Sequence, residues 1–243
     1  MLVLILGINL LVVGLDSSQY VTEPVLGFGL FGVLLGQLCV ITLGVLVITS
    51  EYGTGMIRTT LTACPQRGRV LTAKAIVFFA LSFTVTTVAC ALSALMNYGA
   101  FGGRAVGEND FRSARLVVEN GLTTASGTQW LGATVGVGLY VALLGLLSLA
   151  VGALLRHSAG AITTMMGLVL LPLIVAIFMQ ADSLRTTQQK LIEYSSPNAI
   201  ASLYQMPMLE NGDADGVRQL VVLAIITVVA LAGAYAALGK RDV

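Results

Sequence analysis

Pro24 to Ser50 reads PVLGFGLFGVLLGQLCVITLGVLVITS, without one Asp, Glu, Lys or Arg. A helix rises 1.5 Å per residue, so about 20 apolar residues cross a hydrocarbon core of about 30 Å. This stretch is long enough to do so. Outward from it, uncharged stretches occupy 1–15, 75–103, 120–155, 157–181 and 219–239. Trimmed at Gly, Pro and polar clusters, they predict spans over 24–49, 71–97, 130–155, 159–181 and 218–239. Composition agrees: 56% of the 243 residues are hydrophobic, 10% are charged, and the mean hydropathy is +0.90. A soluble domain carries roughly 25% charged residues, so this chain cannot cover a water-facing surface.

Met1 to Leu15 covers only about 22 Å at helical rise. No Lys or Arg precedes the apolar run and no small-x-small cleavage site follows, which argues against a signal peptide. We expect a first transmembrane helix over 1–15 whose cytoplasmic beginning lies outside this sequence. The expected fold class is an all-α integral membrane protein of six transmembrane helices, forming one permease-like domain over 1–243.

Basic residues set the orientation. With the 51–69 loop inside, the inner side collects Arg58, Arg67, Arg69, Lys74, Arg156, Lys240 and Arg241 against Glu51 and Asp242, leaving six basic and ten acidic residues outside. Both ends are then cytoplasmic. Two outer segments, 99–129 and 182–217, are long enough for structure of their own. Asp110 can cap a surface helix over 111–118 with Gly121 after it, and 186–194 followed by Pro197 predicts a second, lying on or dipping into the outer leaflet. Helical outer segments before the fourth and sixth spans are expected.

Most motif-like patterns here have plainer readings. Gly27 to Gly32 spells GxGxxG but sits inside a lipid-length run, where small residues let helices approach. Gly233 to Arg241 has the wrong glycine spacing for a phosphate loop, and Arg241 stands where Ser or Thr must hold magnesium. Cys39, Cys64 and Cys90 are scattered and His157 is the sole histidine, so no Cys/His metal site assembles in one chain. With no GxSxG and no carboxylate pair inside a span, enzymatic chemistry is not expected. No Asp or Glu lies near mid-membrane, which argues against an ion-driven carrier. Gly32/Gly36, Gly132/Gly136, Gly145 and Gly152 form small stripes that pack helices, within the chain or between copies. Pro172 predicts a kink in the fifth span.

One inner loop is long. From Glu51 to Lys74, Thr54 can cap a short helix over 53–63 on which Met56, Ile57, Thr60 and Leu61 share a face, and Pro65 stops it. Such a knob is a handle that a soluble partner could grip; alternatively it rests on headgroups. An acidic residue ending one span, then Gly and Thr, Ile-Arg-Thr-Thr-Leu, Pro-x-Arg and a Lys starting the next span resembles the ABC-2 type transporter permease family. The matching positions are Glu51, Gly55, Arg58, Leu61, Pro65, Arg69 and Lys74. Tyr194 to Ala199 resembles actinobacterial members that are similar to lantibiotic- and bacitracin-resistance permeases.

The resemblance implies a permease subunit of an antibiotic-resistance type exporter in the plasma membrane of a bacterium. It implies two copies of an ABC ATPase subunit on separate chains, which hold the ATP and magnesium, and a second permease copy as homodimer or heterodimer. The loop helix, with Met56 and Ile57 on its gripping face, would sit in a groove of the ATPase, and Glu51, Arg58 and Lys74 would anchor it. The substrate would be amphipathic or lipid-like, moved outward past Phe28, Phe31, Phe83 and Tyr140, with Phe78, Phe79 and Phe178 nearby in the apolar spans. No nucleic acid partner is expected, and membrane lipid is. Two rival readings are a carrier acting without ATP and a scaffold or sensor subunit that moves nothing. Family members begin with a cytoplasmic amphipathic helix before the first span, for which this sequence has no counterpart.

Overall fold

The computed structural model describes residues 1–15, 20–21, 23–53, 67–106, 117–119, 122–179, 184–209 and 216–240. The long helices are α2 (Leu30–Gly53), α3 (Arg67–Phe101), α4 (Gly127–Leu155), α5 (Ser158–Phe178) and α8 (Val217–Lys240). A 3₁₀ turn over Val25–Gly29, started by Pro24, leads into α2. These are the five helices long and apolar enough to cross a membrane. The shorter ones are α1 (Leu2–Leu15), α6 (Arg185–Glu193) and α7 (Ser196–Leu203). The protein is an all-α membrane protein with several apolar spans.

Its polarity is inverted relative to a soluble protein. Leu43, Ile76, Val77, Leu171, Phe178, Ile225, Val228 and Val229 are exposed on the outer faces, while Asn9, Gln37, Thr86, Ser93, Asn97, Ser148 and Gln219 are buried. Lipid tails are as apolar as leucine, so apolar burial does not favour the inside. Polar contacts and close packing hold such helices together.

α4 is the hub, packed against α2, α3, α5 and α8. It meets α2 at glycines: a side chain on Gly44 would run into the Gly145 carbonyl, and Gly152 lies against Val45 and Ile48. Gly32 and Gly36 receive Ile5 of α1. The small-residue stripes therefore pack within the chain. α1 runs beside α2 and α3 from the depth of Thr86, which donates to the Met1 sulfur, and Asn9 donates to the Ser93 carbonyl at 3.2 Å. α5 continues through Pro172 as one helix.

The two ends of the bundle differ. At one end lies a small sheet of four strands, β1 (Tyr20–Val21), β2 (Ala105–Val106), β3 (Val117–Glu119) and β4 (Leu122–Thr124), in the order β1-β2-β4-β3. β1 runs parallel to β2, and the other pairs are antiparallel. The sheet corrects one expectation: Val117 and Val118 are not helical but pair with Thr124 and Thr123. β-Branched residues facing each other across two strands favour extended backbone over helix. Residues 111–116 of the expected helix lie outside the described residues.

At the same end, α6 is exposed but α7 is buried at every residue. Ser195 caps it by accepting from Asn198 N, and Pro197 stands in its first turn, where a missing N–H does no harm. α7 inserts between α2, α4, α5 and α8. Room for it is made by α4, which opens into a π turn over Gly132–Gly136; a side chain on Gly132 would meet the Leu203 carbonyl. Non-membrane-crossing backbone at membrane depth needs this protein cover.

Candidate functional site

At the opposite end, the described parts of the long loop are its two roots. α2 ends at Gly53 with Glu51 in its last turn, and α3 begins at Arg67. Lys74 of α3 reaches back across the gap: its Nζ lies 2.6 Å from Glu51 Oε1 and donates to the Val47 carbonyl at 3.0 Å. Both side chains are about three-quarters or more buried, 19% and 25% exposed for Lys74 and Glu51. The local chemistry explains the placement. Lys74 neutralises the Glu51 carboxylate, and its ammonium, which has three donors, also reaches a second lone pair on the Val47 carbonyl. The roots of the 54–66 segment are thus bolted together.

A second tie joins α3 to α8. Thr72 donates to the Gly68 carbonyl at 2.8 Å, and its oxygen lies 2.6 Å from the Tyr235 hydroxyl. The threonine proton is already used, so Tyr235 donates to Thr72. Arg69, between these contacts, is exposed. Of the residues singled out in the loop, the structure brings Glu51 and Lys74 together and leaves Arg69 outward. Gly55, Met56, Ile57, Arg58, Leu61 and Pro65, and the helix expected over 53–63 apart from Gly53, lie outside the described residues.

The four aromatic candidates go to different places. Phe28 stacks on Phe101 with centroids 4.2 Å apart, and Arg104 covers the Phe101 ring at 4.8 Å, tying the start of α2 to the end of α3. Phe31 is exposed. Phe83 stacks on Phe79 at 6.0 Å along α3. Tyr140 alone faces inward, buried where α4, α5, α7 and α8 leave a cleft.

Around Tyr140 lies a network that a search for ionisable groups at membrane depth passes over. Ser196 of α7, which lines the same cleft as Tyr140, donates to Gln37 Oε1 at 2.7 Å. Tyr204, just after α7, is buried. Gln129 Nε2 donates to Gln205 Oε1 at 2.9 Å, and Asn198 accepts from Met208 N and donates to the Glu193 carbonyl. Every buried polar side chain among the described residues is neutral. The signal was present in the sequence as lone amides, Asn9, Gln37 and Asn97, within uncharged runs. Asn9 donates to the Ser93 carbonyl and Gln37 accepts from Ser196, while both amide atoms of the buried Asn97 lack a hydrogen-bond partner.

No family model, curated protein or solved structure matches the chain.

Proposed function

We propose that this chain is the membrane-spanning permease subunit of an ABC exporter, moving an amphipathic or lipid-like substrate outward. In this reading ATP is hydrolysed by two copies of a separate ATPase subunit, and a second permease copy completes a homodimer or heterodimer in the plasma membrane of a bacterium. The chain crosses the membrane six times with both termini cytoplasmic, and residues 53–63 form the coupling helix.

The observation that carries the reading is the joining of Glu51 and Lys74 across the roots of the 54–66 segment. A handle transmits a push only if its two attachments move as one body. The bridge supplies that rigidity where the resemblance to ABC-2 permeases puts the coupling element, and Thr72–Tyr235 extends the footing to α8. The neutral interior also favours an external energy source, since an ion-driven carrier uses ionisable groups at membrane depth. As a hypothesis, ATP-driven closure would shift the dimer between states, which requires different ATPase contacts in each.

Affinity capture of the tagged chain from its native membranes tests this directly. A soluble companion with a Walker A motif should come with it, and Arg58→Glu should uncouple ATP hydrolysis from transport while the protein stays in the membrane. Membrane-impermeant maleimide should reach Cys64 only in inside-out vesicles. Transport unchanged by Arg58→Glu, or Cys64 labelled from outside, would overturn the proposal.

A further inference from the structure

The cleft beside Tyr140 has a volume of about 410 Å³ and lies between α4, α5, α7 and α8. Its inner wall is apolar, with Leu144, Leu147 and Leu223. Its lip is Leu168 and Ile226, 56% and 48% exposed, on the outer faces of α5 and α8. The cleft therefore opens sideways toward the bilayer. Above it, Arg218 of α8 pairs with Glu193 of α6 at 2.9 Å and covers the ring of Tyr194, which also lines the cleft. None of the lining residues is charged.

One feature of the lining is unfinished. Gln219 is 4% exposed, and both its amide oxygen and its amide nitrogen lack a hydrogen-bond partner. Ser196 of the same wall is engaged, since it donates to Gln37 Oε1. A buried amide without partners is costly and calls for a group that donates to its oxygen and accepts from its nitrogen.

We propose that this cleft binds a neutral amphipath arriving from the bilayer, with one alkyl chain along the apolar wall and an uncharged donor–acceptor head group on Gln219. Monoacylglycerols and fatty amides have that chemistry. A charged head group would be buried without a counter-ion in an uncharged wall, which is strongly unfavourable. The volume sits near the low end of the roughly 300–1,000 Å³ of ligand pockets and suits one chain. The inference goes beyond the ATP-driven reading, because binding needs no ATPase.

The test uses the purified chain in phosphatidylcholine nanodiscs and a monoacylglycerol carrying a photoactivatable diazirine on its acyl chain. Crosslinks should map to 168–172 and 222–226, and unlabelled monooleoylglycerol should compete while an alkyl sulfonate of equal length does not. Gln219→Leu should weaken competition on the order of tenfold, the loss expected when a buried hydrogen-bonding partner is removed. Ile226→Trp, which fills the lip and leaves Gln219 intact, should abolish labelling in protein that remains monodisperse. If Gln219→Leu does not fold, Ile226→Trp decides the matter. Crosslinks elsewhere, equal competition by the sulfonate, or labelling unaffected in folded Ile226→Trp protein would overturn the proposal.

Discussion

The two ends of the bundle are held by different means. At the sheet end, a fully buried short helix is locked by Gln37, Ser195 and Asn198, and strands tie residues 20–21 to 105–106. At the loop end, among the described residues, one ion pair and a few side-chain bonds tie α2, α3 and α8 at their surfaces. The sheet end depends on buried neutral groups that have nowhere else to bond. The loop end depends on partly exposed contacts that headgroup water can replace.

The largest effect should come from crowding the sheet end. Gly132→Leu would force a side chain against the backbone carbonyl of Leu203, which cannot swing away. Overpacking of this kind costs about 3 kcal/mol, and thermal melting in detergent should show α7 expelled as a large drop in midpoint. The paired control is Gly68→Ala at the loop end, where the new methyl meets only Tyr235 at 3.8 Å, an ordinary contact. That variant should stay within about 0.5 kcal/mol of the parent. Equal losses from both would erase the distinction between the ends.

Gln37→Leu is the next test. It leaves the Ser196 hydroxyl without its buried acceptor, and about 1–2 kcal/mol should be lost. Adding Ser196→Ala removes the stranded group, so the double variant should be more stable than the sum of the two singles predicts. Strict additivity would mean that the Gln37–Ser196 bond does not lock α7.

How much of this could be read from sequence depends on what each segment answers to. The spans answer to lipid thickness, which writes itself into composition: 159–181 reads as a span, and α5 occupies Ser158–Phe178. The 218–239 stretch matches α8 over Val217–Lys240 equally closely. The pairing of Glu51 with Lys74 could be suspected, because both flank the loop and carry opposite charge. α7 could not be read this way. Ser196 to Leu203 is short and mixes polar with apolar residues, and its burial rests on partners distant in sequence or outside the helix, Gln37 for Ser196 and the Glu193 carbonyl and Met208 N–H for Asn198. The strand at Val117–Glu119 departs from the expected helix for a local reason, since two adjacent β-branched residues favour extended backbone.

At the loop end, Lys74→Met leaves the mostly buried Glu51 carboxylate without its partner, and about 1–2 kcal/mol should be lost. Under the proposed function its effect on coupling should be far larger than on melting. Exchanging the charges, Glu51→Lys with Lys74→Glu, should restore only part of it, because a carboxylate at position 74 cannot donate to the Val47 carbonyl. Full recovery would show that charge pairing alone braces the roots.

The smallest effect belongs to Tyr235→Phe. Thr72 keeps its bond to the Gly68 carbonyl, and the pair is exposed, so no buried group is stranded. The loss should be about 0.6 kcal/mol, the mean for side-chain hydrogen bonds between membrane helices. Thr72→Val removes the same interhelical bond from the other side. The two singles and the double variant should therefore melt within a few tenths of a kcal/mol of one another, as expected when both substitutions break one shared contact. If either single variant is as unstable as Gln37→Leu, the loop end is as firmly built as the sheet end.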